Sequence, residues 1–173
     1  MTERGVVVWL TGRPAAGKST LATATAARLR AQGRAVCVLD SDEVRAVLVP
    51  PPGYDERARE DFYRTLGRLA AYVANQGLVV LVPATANRRD YREWARTAAP
   101  AFVEVYVCAS SDECARRDIK GLYAKARAGE VHGLPGVDAV YEEPEEPDVL
   151  VAGGHDLEGA ERILAVIARA TAD

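Results

Sequence analysis

Four short runs rich in Val and Leu, at residues 6–10, 35–39, 78–82 and 102–107, constrain the fold of this chain more than any other feature. None alternates apolar with polar residues, so each reads as a strand covered on both faces, as in a parallel sheet. A weaker run at 148–151 raises the expected strand count to five. Helical patterns fill the gaps at 19–30, 56–75, 89–97, 112–117 and 156–170, and a further helix begins near Glu43. Within 56–75, Phe62, Leu66, Leu69 and Val73 recur at the spacing of one helical face. In the last helix Leu157, Ile163, Leu164 and Ile167 face inward, while Gly33 and Gly77 act as stop signals for earlier helices. Strands alternating with helices imply right-handed crossovers, and so an α/β fold with helices on both faces of one sheet.

Composition narrows the partners. The 173 residues are 49% apolar and 27% charged, which suits one core, and residues 1–173 read as a single domain. A net charge of −3 gives nucleic acid or an anionic membrane nothing to bind, so neither is an expected partner. No run approaches the roughly 18 apolar residues of a spanning helix, and no leader pattern opens the chain. Cys37, Cys108 and Cys114 form no CxxC pair, which fits small buried thiols in a reducing cytoplasm.

The sharpest motif is Gly12-Arg13-Pro14-Ala15-Ala16-Gly17-Lys18-Ser19, a G-x-x-x-x-G-K-[ST] loop between a buried strand and a helix. Its glycines let consecutive backbone N–H groups wrap phosphate oxygens, and the helix end adds positive potential. Gly12 to Thr20 therefore form the expected ATP cradle. Lys18 bridges the β- and γ-phosphates, and the Ser19 hydroxyl ligates Mg²⁺. This is the signature of a nucleoside-triphosphate site, and alone it does not choose among a kinase, a GTPase and a silent binder.

A GTPase is disfavoured. Asn87-Arg88-Arg89-Asp90 lacks the lysine of a guanine-reading motif, and the late Asp156-Leu157-Glu158-Gly159 falls in the wrong order. The second strand instead runs into Asp40-Ser41-Asp42. Two carboxylates at i, i+2 beside the loop suit transfer to a hydroxyl: one holds Mg²⁺ through water, and the other accepts a proton. Helix capping explains one aspartate but not both; sequence leaves the division of roles open. The stretch from Arg116 to Gly129 packs five cations into an otherwise slightly acidic chain. On its own it is a solvated helical face. After the loop and the carboxylates it reads as a lid, within about 118–147, that brings positive charge and excludes water. His132 falls in this lid and His155 just before the closing helix; neither has an evident partner.

Together these segments resemble the adenylyl-sulfate kinase family from about Val6 to Val151. Lys120-Gly121-Leu122-Tyr123-Ala124-Lys125-Ala126-Arg127-Ala128-Gly129 is close to that family's KGLYKKARAG, and Gly136 to Glu142 parallels GIDSPYE. Glu143 to Pro147 resembles APENP, Phe102 to Val107 matches FVEVYV, and Leu39 to Arg45 is similar to LDGDNIR. The resemblance implies a P-loop kinase fold, ATP and Mg²⁺ as cofactors, and a cytoplasmic homodimer of sulfate assimilation. The implied reaction is phosphorylation of the 3′-hydroxyl of adenosine 5′-phosphosulfate. Carried over by motif, Lys18, Asp40 and Asp42 are catalytic, and Ser19 and Asp40 serve the metal. Arg117 lies near the donor nucleotide. Asp42, Arg45, Tyr54, Arg59, Phe62, Arg88, Lys125 and Arg127 line the acceptor.

Departures from the family concentrate on the acceptor side. FISPF becomes Ala84-Thr85-Ala86-Asn87-Arg88, which replaces a serine that some members phosphorylate with Ala86 and a base-stacking phenylalanine with Arg88. Phe62 stands where the family has an acceptor-contacting asparagine, and Tyr54 replaces a second stacking phenylalanine. A guanidinium or a phenol can still stack on a base. The runner-up readings are a kinase of another nucleotide-linked or small hydroxyl acceptor and, further down, an ATP-binding module without turnover.

Overall fold

A computed structural model describes residues 4–153, 156 and 158–172 of the protein. Five strands, β1 (Val6–Thr11), β2 (Val36–Val38), β3 (Val79–Pro83), β4 (Phe102–Val107) and β5 (Val149–Val151), form one sheet in the order β2-β3-β1-β4-β5. Every neighbouring pair is parallel. Burial on both faces holds for β1 and β3, all of whose residues are buried, but not for the run at 35–39, because β2 is an edge strand and its three residues are half-buried. The edge strands β2 and β5 are shorter, with three residues each.

Among the described residues seven helices surround the sheet: α1 (Lys18–Ala31), α2 (Ser41–Val47), α3 (Glu56–Ala74), α4 (Arg89–Ala98), α5 (Ser111–Arg116), α6 (Leu122–Arg127) and α7 (Gly159–Thr171). Side chains alternate across β1. Val6, Val8 and Leu10 pack with Leu21, Ala22 and Leu29 of α1 and with Ile163 and Ile167 of α7. Val7 and Trp9 turn to the opposite face, against Phe62, Leu66 and Ala70 of α3 and Tyr91 and Ala95 of α4. Parallel pairing sends every strand's C-terminal end to one rim, where ligands of open α/β sheets bind.

Some expectations need correction. Leu69 is 37% exposed, because the buried stripe of α3 runs through Phe62, Tyr63, Leu66, Gly67, Ala70, Ala71 and Ala74 instead. The closing helix starts at Gly159, three residues later than its pattern suggests. The cation-rich stretch contains a separate helix, α6, which follows Gly121 in a left-handed conformation (φ 66°). Leu157 and His155, expected in and just before the closing helix, lie outside the described residues.

Candidate active site

The loop between β1 and α1 is shaped by close approach. A Cβ at Gly12 would sit 2.5 Å from the Val107 carbonyl oxygen of β4, so no larger residue fits there. Ala15 (φ 62°) and Gly17 (φ 100°) both turn left-handed, which points successive N–H groups into a common concavity. Lys18 lies across that concavity, its Nζ donating to the carbonyls of Gly12 at 2.9 Å and Arg13 at 2.8 Å. Burial pushes the Lys18 ammonium down to about 8, against the opposing pull of Cys114, Asp42 and Asp40. Thr20 is exposed one residue beyond Ser19 on α1. Arg117, at the C-terminal cap of α5, carries a buried Nη1 with no hydrogen-bond partner among the described residues.

The two aspartates part company. Asp40 caps α2, its Oδ1 accepting from the Asp42 backbone N–H at 2.9 Å, while its Oδ2 takes the Ser19 hydroxyl at 2.5 Å. The capping reading and the metal reading therefore both apply to this one carboxylate. A hydroxyl beside a carboxylate oxygen at a phosphate cradle is the hard-oxygen donor set that Mg²⁺ prefers, so the residues fit that ion. Asp42, in the first turn of α2, is 64% exposed and ion-paired through Oδ2 with Lys120 Nζ at 2.7 Å. That bond holds the Lys120 ammonium above its ordinary range. Lys120 is one cation of the run in sequence, and nothing in its spacing marks it as Asp42's partner.

The segment 118–147 folds over the loop. Tyr123 of α6 is buried and donates its hydroxyl to the Pro14 carbonyl at 2.9 Å. Asp138 closes a turn by accepting from the Gly133 and Leu134 N–H groups at 2.7 and 2.6 Å. Tyr141 reaches the end of β1, where its hydroxyl lies 3.0 Å from Thr11 Oγ1, and burial pushes the phenol up to about 12. Lys125 and Arg127 are exposed and have no ion pair among the described residues.

Next to this rim a cleft of about 720 Å³ lies between α3, the β3–α4 turn and residues 132–142. Tyr54, Glu56, Arg59, Arg88 and His132 line it. Arg59 donates to the Gly133 carbonyl at 2.5 Å. Arg88 pairs with Glu56 at 3.0 Å and lies over the Tyr91 ring, instead of extending as a free platform. Arg45 is 6% exposed, stacked between the Tyr54 ring (4.5 Å) and the Phe62 ring (3.9 Å), and it donates to the Pro52 and Gly53 carbonyls. Phe62 itself is 2% exposed and belongs to the core. Its face is covered by Arg45, and neither residue lines the cleft, so the structure does not bring this expected acceptor contact into it. Sequence reasoning missed Glu56 and Lys120, whose partners lie 32 and 78 residues away.

The adenylylsulphate kinase family model matches residues 4–152, well over half of the chain. The chain belongs to that family. Curated relatives agree: an adenylyl-sulfate kinase of Picosynechococcus is 42% identical over 86% of this chain and 84% of its own length. A probable adenylyl-sulfate kinase of Pyrococcus abyssi is 44% identical over 85% of this chain and 84% of its own. Among solved structures, the Mycobacterium tuberculosis APS kinase CysC in complex with AMPPNP and APS superposes with a TM-score of 0.89. It is 34% identical, with 96% of this chain and 99% of that one covered. As an adenylylsulphate kinase family member the chain is an ATP-dependent phosphotransferase, and ATP with Mg²⁺ is its cofactor pair. No described helix is long and apolar enough to cross a membrane.

Proposed function

We propose that the chain transfers the γ-phosphoryl group of ATP to the 3′-hydroxyl of adenosine 5′-phosphosulfate. The observation that carries this reading is the pairing of Asp42 with Lys120: it brings the lid onto the carboxylate beside the phosphate cradle. Asp40 has both oxygens engaged, by Ser19 and by the cap of α2, whereas Asp42 keeps one oxygen outside its ion pair. We therefore divide the roles, with Asp40 serving the metal and Asp42 taking the proton of the attacking hydroxyl. The acceptor oxygen forms a bond to γ-phosphorus as the bond to the β–γ bridging oxygen breaks. ADP leaves, and the proton passes to Asp42.

Lys18, released from the Gly12 and Arg13 carbonyls, draws the bridging phosphates into line. Ser19 and, through water, Asp40 would hold Mg²⁺, which would supply charge neutralisation at the phosphates. In this reading Arg13 to Thr20 and Arg117 bind the donor. Arg59, which lines the cleft, and Arg45, buried beside Tyr54, take the acceptor's anionic end, with Lys125 and Arg127 added from the lid. Segment 118–147 acts as that lid on a single catalytic domain. A cytoplasmic setting is supported by free Cys37, Cys108 and Cys114, and a homodimer by the family resemblance.

The test is ADP formation from Mg-ATP with and without adenylyl sulfate. Acceptor-dependent ADP together with a 3′-phosphorylated product supports the reading; ADP at the no-acceptor background sinks it. Two observations favour a second reading, a related nucleotide acceptor: Phe62 lies sealed under Arg45, and Arg88 is engaged by Glu56. A panel of ribonucleotide acceptors with the same readout separates the two.

A further inference from the structure

We infer that Arg92, which lies outside the cleft, is a positioning residue that sets acceptor affinity by clamping two of the cleft's walls together. Arg92 is 2% exposed on the inner face of α4 and cannot touch a ligand. Its guanidinium reaches three separate segments. Nε donates to Glu104 Oε1 of β4 at 2.8 Å, Nη1 to the Ala86 carbonyl at 2.6 Å, and Nη2 to the Glu142 carbonyl at 2.8 Å. Ala86 is the fully buried, left-handed residue (φ 40°) of the β3–α4 turn, and Asn87 and Arg88 beside it line the cleft. Glu142 belongs to the opposite wall, with Ala139 and Val140.

The fork geometry explains why an arginine stands here. Its planar N–H groups diverge at fixed angles, so one rigid group registers two backbone carbonyls from strands of chain far apart in sequence. Glu104 anchors that fork from below, and Arg96 holds the other Glu104 oxygen at 3.1 Å. The Glu104 N–H is in turn held by Asp148, so the anchor is itself fixed to the strand. Contacts further out depend on this register. Asn87 Nδ2 donates to the Val140 carbonyl at 2.9 Å, the Glu142 N–H donates to the Asn87 carbonyl at 2.8 Å, and the Arg89 N–H donates to Glu142 Oε2 at 2.7 Å. A lysine could keep the charge beside Glu104 but, as a point donor, could not span both carbonyls.

The inference rests on the acceptor assignment above, so its test carries one readout that needs no acceptor. In ligand-free protein, Arg92→Lys should speed amide hydrogen exchange in 84–88 and 139–145 together and leave 12–19 unchanged. With substrates, it should raise the KM for adenylyl sulfate about tenfold, as expected for one charge-assisted hydrogen bond lost, with the KM for ATP within about twofold of the parent. Glu104→Gln retains an acceptor for Nε, so it should lower Tm and leave the acceptor KM in place. Equal shifts in both KM values, faster exchange spread over the whole sheet, or a Glu104→Gln variant that matches Arg92→Lys in acceptor KM would overturn the clamp. If the parent enzyme ignores adenylyl sulfate, the acceptor assignment fails, and the exchange pattern alone decides the role of Arg92.

Discussion

The donor and acceptor halves of this site are built from different materials. The donor half is mostly backbone: left-handed turns at Ala15 and Gly17, carbonyls gathered around Lys18, and a glycine pressed against Val107. The acceptor half is mostly side chains, with Arg45 between two rings, Arg88 on Glu56, and Arg59 on the Gly133 carbonyl. A cradle of amides tolerates few sequences, because each turn demands particular φ values. A cleft of side chains can be rewritten one residue at a time.

The sharpest way to break the contrast is Lys18→Ala. Removing its ammonium from the donor half should cut kcat by about 10²–10³-fold or more in the ADP assay, since that charge is aimed at the transferring group. Turnover close to the parent would mean that the cradle is misread. On the acceptor side, Phe62→Ala removes both a core ring and the platform under Arg45. It should destabilise by about 3–5 kcal/mol in denaturant melts. It should also raise the KM for acceptor more than that for ATP. A variant with normal stability would show that the ring is not core.

Proton linkage sharpens the comparison further. Lys18 has its folded-state range lowered from 10.5 to about 8 in the ligand-free protein, so the buried ammonium is costly below about pH 8. The unfolded chain holds that proton up to about 10.5, so this residue's contribution makes stability rise with pH across the window from about 8 to 10.5. Lys18→Met should accordingly melt higher than the parent at pH 7, by at most about 3 kcal/mol, with the gap closing towards pH 10. In the parent, affinity for ATP should weaken above about pH 8, as the ammonium must regain its proton to meet phosphate. The smallest effect is expected at Arg88. Arg88→Ala should raise the acceptor KM by a few fold at most, because the exposed guanidinium is already held by Glu56 and Tyr91. Arg88→Phe should recover most of the loss, and a loss equal to that of Lys18→Ala would erase the distinction between the halves.

The same division decides what sequence could reveal. The sheet was legible because burial leaves β1, β3 and β4 almost wholly apolar, apart from Thr11 and Glu104. The cradle was legible because its spacing is fixed by covalent geometry. Long-range pairings were not: Asp42 with Lys120, Arg88 with Glu56 and Tyr123 with Pro14 each join segments that meet only after the sheet forms. Helix α6 was obscured for a related reason. Its six residues are too few to show a periodic face, and Tyr123 is its one buried member. Phe62 shows the reverse case: its position was read as a pocket residue because of what the family places there, while its own apolar ring sought the core.

The unequal use of Asp40's two oxygens has one more consequence. A carboxylate on a free stem can spin, and a cation that captures it must first freeze that spin. Here the bond from the Asp42 N–H fixes the plane of the group through one oxygen. The other oxygen already faces Ser19 before anything arrives. The ordering entropy of a ligand has been spent during folding, so an incoming divalent ion meets a donor that is already aimed.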